Sequence, residues 1–457
     1  MTNPSSLYRL QAGICLASFL GCIDFTIVNT ALPALQRQFT VGPGSVQWAM
    51  TLFVMALCCC MVLTARLAER FGQRQMLYAG MLVFGLASLG AGLSSGLMML
   101  NLLRLLQGAG CAVLYTVTAA ILVEAVPRER RGRALGLLFA ANGLGLAVGP
   151  VAGGWLMSVS GWRSIFLINV PLILLSFTLC LGLIPSAPPS PRPRVDYRGW
   201  LLMVAGLVPL LVWSGYVTRW GWSAFVSLAT LGTAILFLLV FVRVERRTVQ
   251  PLIDFSVLGS GAFCRACALS VLLAIFYCVA FMMIPFRLVE RFGLSDAQLG
   301  LMLLPVTLVM ALISPLSGRL GDRYGPWRVM TAGFFLLACS ALLQSASGST
   351  LSLSRIALAG VMMGAGWGAI LGPSVTAALD ALPQSQHGQG IGIAWTLHNL
   401  GGALGLAVAT RMYQSGGAVY GYQWVMWLLV LLSCVGGAVA LYSVRRASRR
   451  QLAREDN

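Results

Sequence analysis

One carboxylate, Asp24, sits inside the apolar run Leu10–Pro33, which holds no other charged residue. Bringing a charge to the middle of a bilayer costs roughly 2.5–3.5 kcal/mol on insertion scales, so an acid at that depth faces a cavity or a partner and does work there. Its simplest chemistry is to exchange a proton for something else. An opposite charge, Arg104, lies in a second apolar run at 97–123. Counted from the nearer ends of their runs, both groups sit about 10–14 Å below the same surface, at about 1.5 Å of rise per residue. Matched depth predicts an ion pair if the two runs are neighbours, one that parts when substrate or a change of conformation separates the charges. A purely structural pair is the competing role.

Other side chains could join them. His398 and Asn399 fall midway along a late apolar run, where a neutral imidazole can hydrogen-bond a substrate or relay a proton. A satisfied core histidine is the plainer alternative. Phe25, Tyr115, Phe139, Tyr277, Trp367 and Trp395 could hold a cation against their ring faces, with lipid-facing packing as the competing role. Asn29, Gln107 and Asn142 complete the candidate cavity set.

The elements that must position these groups are long and apolar. The chain has 457 residues, 58% hydrophobic and 10% charged, with mean hydropathy +0.83, which excludes a soluble globular protein. A spanning helix needs about 20 apolar residues. Fourteen runs qualify: 9–33, 47–67, 76–95, 97–123, 134–158, 164–184, 199–217, 222–242, 263–287, 297–317, 328–346, 353–379, 388–411 and 423–444. The first is too long, and too closely followed, to read as a cleavable signal peptide.

All 31 basic residues are Arg, and 23 of them fall on one side if the N-terminus is cytoplasmic. The net charge of +18 therefore reflects topology, with both termini inside, rather than nucleic-acid binding. Without Lys there is no Gly-x-x-x-x-Gly-Lys phosphate loop, so an ion gradient is the expected energy source. Cys264-x-x-Cys267 has no second pair and no nearby His, and reads as small buried side chains rather than a metal site.

Two halves are visible. Residues 1–184 hold six runs, 256–445 hold six more, and 446–457 form a basic tail. Between the halves, 185–255 contains a stretch with Pro185, Pro188, Pro189, Pro191 and Pro193, then two further runs. The loop Ala65-Arg-Leu-Ala-Glu69-Arg70-Phe-Gly72-Gln-Arg74 recurs as Gly318-Arg-Leu-Gly-Asp322-Arg323-Tyr-Gly325. Repeated halves are typical of secondary transporters, whose substrate site lies between them near the midplane.

With these features the chain resembles the major facilitator superfamily, and within it the fourteen-span drug:proton antiporters. Asp24-Phe-Thr-Ile-Val-Asn29-Thr-Ala-Leu-Pro33 is similar to the family's Leu-Asp-x-Thr-Ile-Val-Asn-x-Ala-Leu-Pro signature, with Ile23 in place of Leu. Arg104-Leu-Leu-Gln107-Gly108-Ala-Gly110 resembles Arg-x-x-x-Gly-x-Gly. Gly145-x-x-x-Gly149-Pro150-x-x-Gly153-Gly154 resembles the motif that marks antiporters; its small residues permit close helix approach and Pro150 is expected to bend the span. In the repeated loop Glu69, Arg70, Arg74, Asp322 and Arg323 are expected to form conformational latches. The first copy departs from the family in carrying Ala65 for Gly and Glu69 for Asp. Trp162-Arg163-Ser-Ile-Phe166-Leu-Ile-Asn169-Val-Pro171 resembles the subgroup's sixth span and is read as a structural helix start.

The resemblance implies an all-α polytopic membrane protein of the major facilitator fold, two six-helix bundles plus two additional central helices. It implies a proton-coupled antiporter exporting amphipathic, cationic small molecules by alternating access. Asp24 and Arg104 are then the proton-coupling and substrate pair. The expected partners are the small-molecule substrate, protons and the lipid bilayer. No nucleic acid and no cofactor is expected, and the protein is expected to work as a monomer in the cell membrane. With a single core acid, monovalent cations, zwitterions or neutral amphiphiles fit better than dications. A proton-coupled exporter or importer of a specific metabolite or nutrient is the alternative. An intramembrane enzyme fits less well, since the spans hold no clustered acids.

Overall fold

In the computed structural model the chain is helical apart from short turns over the described residues, 4–41, 43–184, 195–293, 296–345, 352–416 and 420–455. The Pro-rich stretch of 185–193 lies outside them. Helices of the first half are α1 (Pro4–Phe39), α2 (Pro43–Phe71), α3 (Gln73–Gly92), α4 (Leu97–Ala125), α5 (Arg131–Ser160), α6 (Ser164–Leu167) and α7 (Asn169–Cys180). Next come α8 (Tyr197–Trp220), α9 (Phe225–Glu245) and the single turn α10 (Ser256–Gly259). The second half holds α11 (Gly261–Phe292), α12 (Asp296–Tyr324), α13 (Pro326–Ser345), α14 (Leu353–Asp380), α15 (His387–Gly416) and α16 (Tyr422–Glu455).

Thirteen of these are long and apolar enough to cross a membrane, and a shorter apolar segment, Ser164–Cys180, supplies the remaining expected run. The bonding of that segment is irregular at Ile168 for a local reason: Pro171 has no N–H for the carbonyl of Leu167 and its ring crowds that carbonyl, so one helical bond is lost while Ile168 keeps helical dihedrals. α5, in contrast, runs unbroken through Pro150. Helix starts carry their usual signals: Asp196 accepts from Gly199 N–H at 2.9 Å, and Ser352 from Arg355 N–H at 3.2 Å. Proline opens α13, where its missing N–H has no intrahelical role.

Within the first half α1 packs on α5 and α7, and α4 on α2 and α3; within the second, α14 packs on α12 and α13, and α11 on α15. The halves meet where α5 lies against α12 and α2 against α15. An even number of crossings puts the start of α1 and the end of α16 on one face, the termini face.

The close approach of α1 and α5 depends on glycine. A Cβ at Gly145 would sit 2.7 Å from the Phe19 carbonyl oxygen, and one at Gly149 would collide with Thr26 Oγ1. Gly154, in the same motif, faces open space. Such packing supplies contact without polar groups, which matters where lipid tails are as apolar as the side chains they replace.

The hairpin α8–α9 lies outside the bundles, with α8 against both α2 and α15. Trp200 donates from Nε1 to the Cys59 carbonyl at 2.9 Å, Tyr216 stacks on Trp48 at 5.8 Å, and Arg219 reaches Gln47 Oε1 at 3.1 Å.

Candidate functional site

Asp24, on α1, is wholly buried, as are Arg104 and Gln107 on α4, Ser88 on α3 and Asn169 on α7. These five side chains form one network inside the first half. Arg104 donates through Nη1 to Asp24 Oδ2 and to Gln107 Oε1, the latter at 2.7 Å, and through Nε to the Ala49 carbonyl at 3.0 Å. Its guanidinium lies over the Phe53 ring, 4.1 Å from the centroid. Gln107 Nε2 donates to Asp24 Oδ1 at 2.9 Å and to Ser88 Oγ at 2.7 Å. Asn169 Nδ2 adds a third donor to the carboxylate, reaching Asp24 Oδ1 at 3.1 Å.

Such an arrangement compensates a buried charge with an opposite charge and with hydrogen bonds to both carboxylate oxygens. It also seals Asp24 from the space between the halves. The sequence reading gives Asp24 a direct role in substrate binding; here α1, α4 and α7 enclose its carboxylate completely. The sixth run reads as a structural helix start from the sequence; the structure adds that the Asn169 side chain reaches Asp24.

A separate aromatic surface joins the two halves. Trp395 of α15 packs edge-on to Tyr115 of α4 at 5.5 Å and tilts against Phe139 of α5 at 5.9 Å. On its own side it meets His398 at 5.1 Å. Tyr277 of α11 stacks on Trp367 of α14 at 4.2 Å, and its hydroxyl lies 3.3 Å from His398 Nε2. The other imidazole nitrogen, Nδ1, faces Ser270 Oγ at 2.8 Å. Nε1 of Trp367 and Nε1 of Trp395 are buried here without a hydrogen-bond partner, as is Oδ1 of Asn142 on α5.

Cys22, two residues before Asp24 on α1, has its Sγ 2.7 Å from the Tyr115 hydroxyl, which ties α1 to the aromatic surface. Phe25 is 37% exposed and joins neither group, and the side chain of Asn29 lies outside the described ones.

The repeated loops are used unequally. Asp322 accepts from the backbone N–H of Gly132 at 2.8 Å and of Arg133 at 2.9 Å, capping the first turn of α5 across the two halves. Glu69 instead pairs with Arg66 on its own helix at 2.8 Å. Arg70 lies over Phe71, Arg74 over Tyr78 and Arg323 over Tyr324. Among the described residues no group of three or more His, Cys, Asp or Glu could hold a metal.

Comparison with known proteins agrees with this architecture. The Major Facilitator Superfamily matches residues 14–275 and again 265–456. The multidrug resistance protein Stp of Mycobacterium tuberculosis is 30% identical over 415 residues, covering 89% of this chain and 76% of that protein. The riboflavin transporter RibZ of Clostridioides difficile is 26% identical over 401 residues, covering 88% and 87%. The crystal structure of the human organic anion transporter MFSD10 superposes with a TM-score of 0.71 at 17% identity, covering 96% of this chain and all of that one.

Proposed function

This chain belongs to the major facilitator superfamily, a family of transporters rather than enzymes, and from that premise we propose that it is a proton-coupled antiporter exporting amphipathic small molecules. Asp24 and its network carry the proposal. A carboxylate held by Arg104, Gln107 and Asn169 inside a span is an unfavourable place for a charge unless the charge is used.

In this reading proton and substrate occupy different places. The proton binds at Asp24 when the network opens. The substrate binds between the halves, on the aromatic surface of Tyr115, Tyr277, Trp395 and His398, where ring faces and unpaired indole N–H groups receive a flat or cationic amphiphile. α1 and α4 link the two, since Asp24 and Cys22 share one helix and Arg104 and Tyr115 the other. Movement of Tyr115 with the substrate is thereby passed to the helices that hold the carboxylate. Direct competition for one carboxylate gives way to coupling through helix position.

The arginine bias supports a reading with both termini on the cytoplasmic side of a cell membrane. The closed contacts of α5 with α12 and α2 with α15 at the termini face then belong to a state shut towards the cytoplasm. Rocking of 1–184 against 256–445 opens that face. The resemblance of the antiporter motif and the multidrug resistance relative favour export. A second reading, transport of one specific metabolite or nutrient, is favoured by the riboflavin transporter among the relatives. Whole-cell accumulation separates the directions, because deleting an exporter raises intracellular substrate and deleting an importer lowers it.

The testing experiment is uptake of a fluorescent amphipathic cation into energised inverted vesicles, comparing Asp24→Asn with the unmodified protein. The proposal requires loss of proton-driven transport in Asp24→Asn with the protein still folded. Unchanged proton-driven transport would sink it.

A further inference from the structure

The α8–α9 hairpin returns to the second half through residues 246–260, and this exit loop is gripped by both halves at once. Arg66, near the end of α2, donates through Nε to the Leu252 carbonyl and through Nη2 to the Pro251 carbonyl, both at 2.8 Å. Its remaining nitrogen, Nη1, is held by Glu69. Glu245, buried at the end of α9, accepts from Ile253 N–H at 3.3 Å. From the second half, Gln386, just before α15, reaches Asp254 Oδ2 and Ser256 Oγ, each at 3.3 Å. Ser260 donates to the Ala381 carbonyl at 3.3 Å. Leu252 and Val257 are wholly buried, so apolar packing fixes the loop between these polar grips.

The loop runs directly into α10 and α11 and is tied to the turn before α15. It therefore moves with the second half, whereas Arg66 moves with the first. We infer that Arg66 is a positioning residue that clasps the hairpin's exit loop and holds the termini face closed. Glu69 lies against Gly388 at the start of α15 but makes no cross-half hydrogen bond of the kind Asp322 makes; its other oxygen orients Arg66, whose fork matches two adjacent carbonyls. The equivalent residue in the second copy, Arg319, is exposed. The additional hairpin is in this way a working part of the gate and not a passive insertion.

The inference rests on alternating access but on no particular substrate, and it is tested without one. Hydrogen exchange is followed by mass spectrometry on the full-length protein in nanodiscs. The informative probes are residues 250–256 and the first turn of α5, whose Gly132 and Arg133 amides bond to Asp322 on the far side of the gate. Arg66→Ala is expected to speed exchange about tenfold at both places, the equivalent of one lost charge-assisted hydrogen bond. Arg66→Lys, with one ammonium for three acceptors, should show the same two-place pattern more weakly, and it guards against a folding failure of the alanine variant. Gln386→Ala should loosen 250–256 alone, because both of its partners move with it. Faster exchange confined to 250–256 in both Arg66 variants, or equal effects of Gln386→Ala and Arg66→Ala on the α5 amides, overturns the clasp. Failure of the export assay would leave this result standing.

Discussion

Asn169 Nδ2 and Gln107 Nε2 donate to the same oxygen of Asp24, at 3.1 and 2.9 Å, so a side chain of the sixth span serves a carboxylate in the first. Removing Asn169 leaves that oxygen with one donor in a site closed to water. Leaving a buried acceptor under-satisfied costs about 1–3 kcal/mol, more when it is charged. Asn169→Ala should therefore fold with a lowered unfolding temperature and show slower proton-driven transport. Thermal unfolding and vesicle transport on the same preparation check this; full transport at wild-type stability would contradict a role for Asn169 in the network.

Arg104 and Asp24 should behave as one unit. Truncating one partner of a buried ion pair strands the other charge, at about 3–5 kcal/mol. Arg104→Ala is expected to lose most of its folded yield. Combining it with Asp24→Asn removes both charges and should recover a large part of that loss, though no transport. A double-mutant cycle on unfolding temperature reads the coupling, and simple additivity of the two changes would show that the pair is not coupled.

How far the site could be read from the sequence depended on charge. Asp24 and Arg104 announce themselves because a charge in an apolar run has few innocent explanations, and depth counting pairs them. Ser88 and Asn169 are neutral, so burial gives them no comparable signal. Fourteen apolar runs and the repeated loop were legible for the same reason, since length and hydropathy are chain-local properties. Helix facing is not local. That Trp395 meets Tyr115 and Phe139 of the other half, or that Arg66 meets the exit loop, depends on packing between segments hundreds of residues apart.

Glycines of the antiporter motif should differ in tolerance. A Cβ at Gly149 collides with Thr26 on α1, whereas Gly154 faces open space. Gly149→Val is expected to abolish correct α1–α5 packing and, with it, transport, while Gly154→Ala should lie within about 0.5 kcal/mol of wild type, as substitutions away from such contacts do. Monodispersity on size exclusion and transport rate distinguish the two.

Trp395 bridges the halves through Tyr115 and Phe139, so its loss removes a closing contact and, under the proposed function, part of the substrate surface. Aromatic pairs of this geometry contribute about 0.5–1.5 kcal/mol each beyond area burial. Trp395→Ala is expected to weaken binding of a flat aromatic cation roughly tenfold or more, and Trp395→Phe to restore part of it. Fluorescence titration of the purified protein reads the affinity. Equal affinity in all three proteins would move the substrate site elsewhere.

Asp322 supplies the second hold on the termini face. Its carboxylate accepts from two amides in the first turn of α5, where the unpaired N–H groups and the helix dipole both favour a negative charge. Those two bonds cross between the halves, so they exist only while this face is shut. Asp322→Asn keeps the size but loses the charge and one of the two acceptor oxygens, and should shift the resting population towards opening at the termini face. A shift of about 1.4 kcal/mol is a tenfold change in that population. The predicted sign is specific: accessibility of the termini-face cavity to a membrane-impermeant thiol reagent rises in Asp322→Asn, at a single cysteine placed on α2 in a background lacking the native cysteines. Opening at the opposite face instead would mean that the α5 cap stabilises a different state. Because Asp322 and Arg66 hold opposite sides of one gate, combining Asp322→Asn with Arg66→Ala should open it further than either change alone.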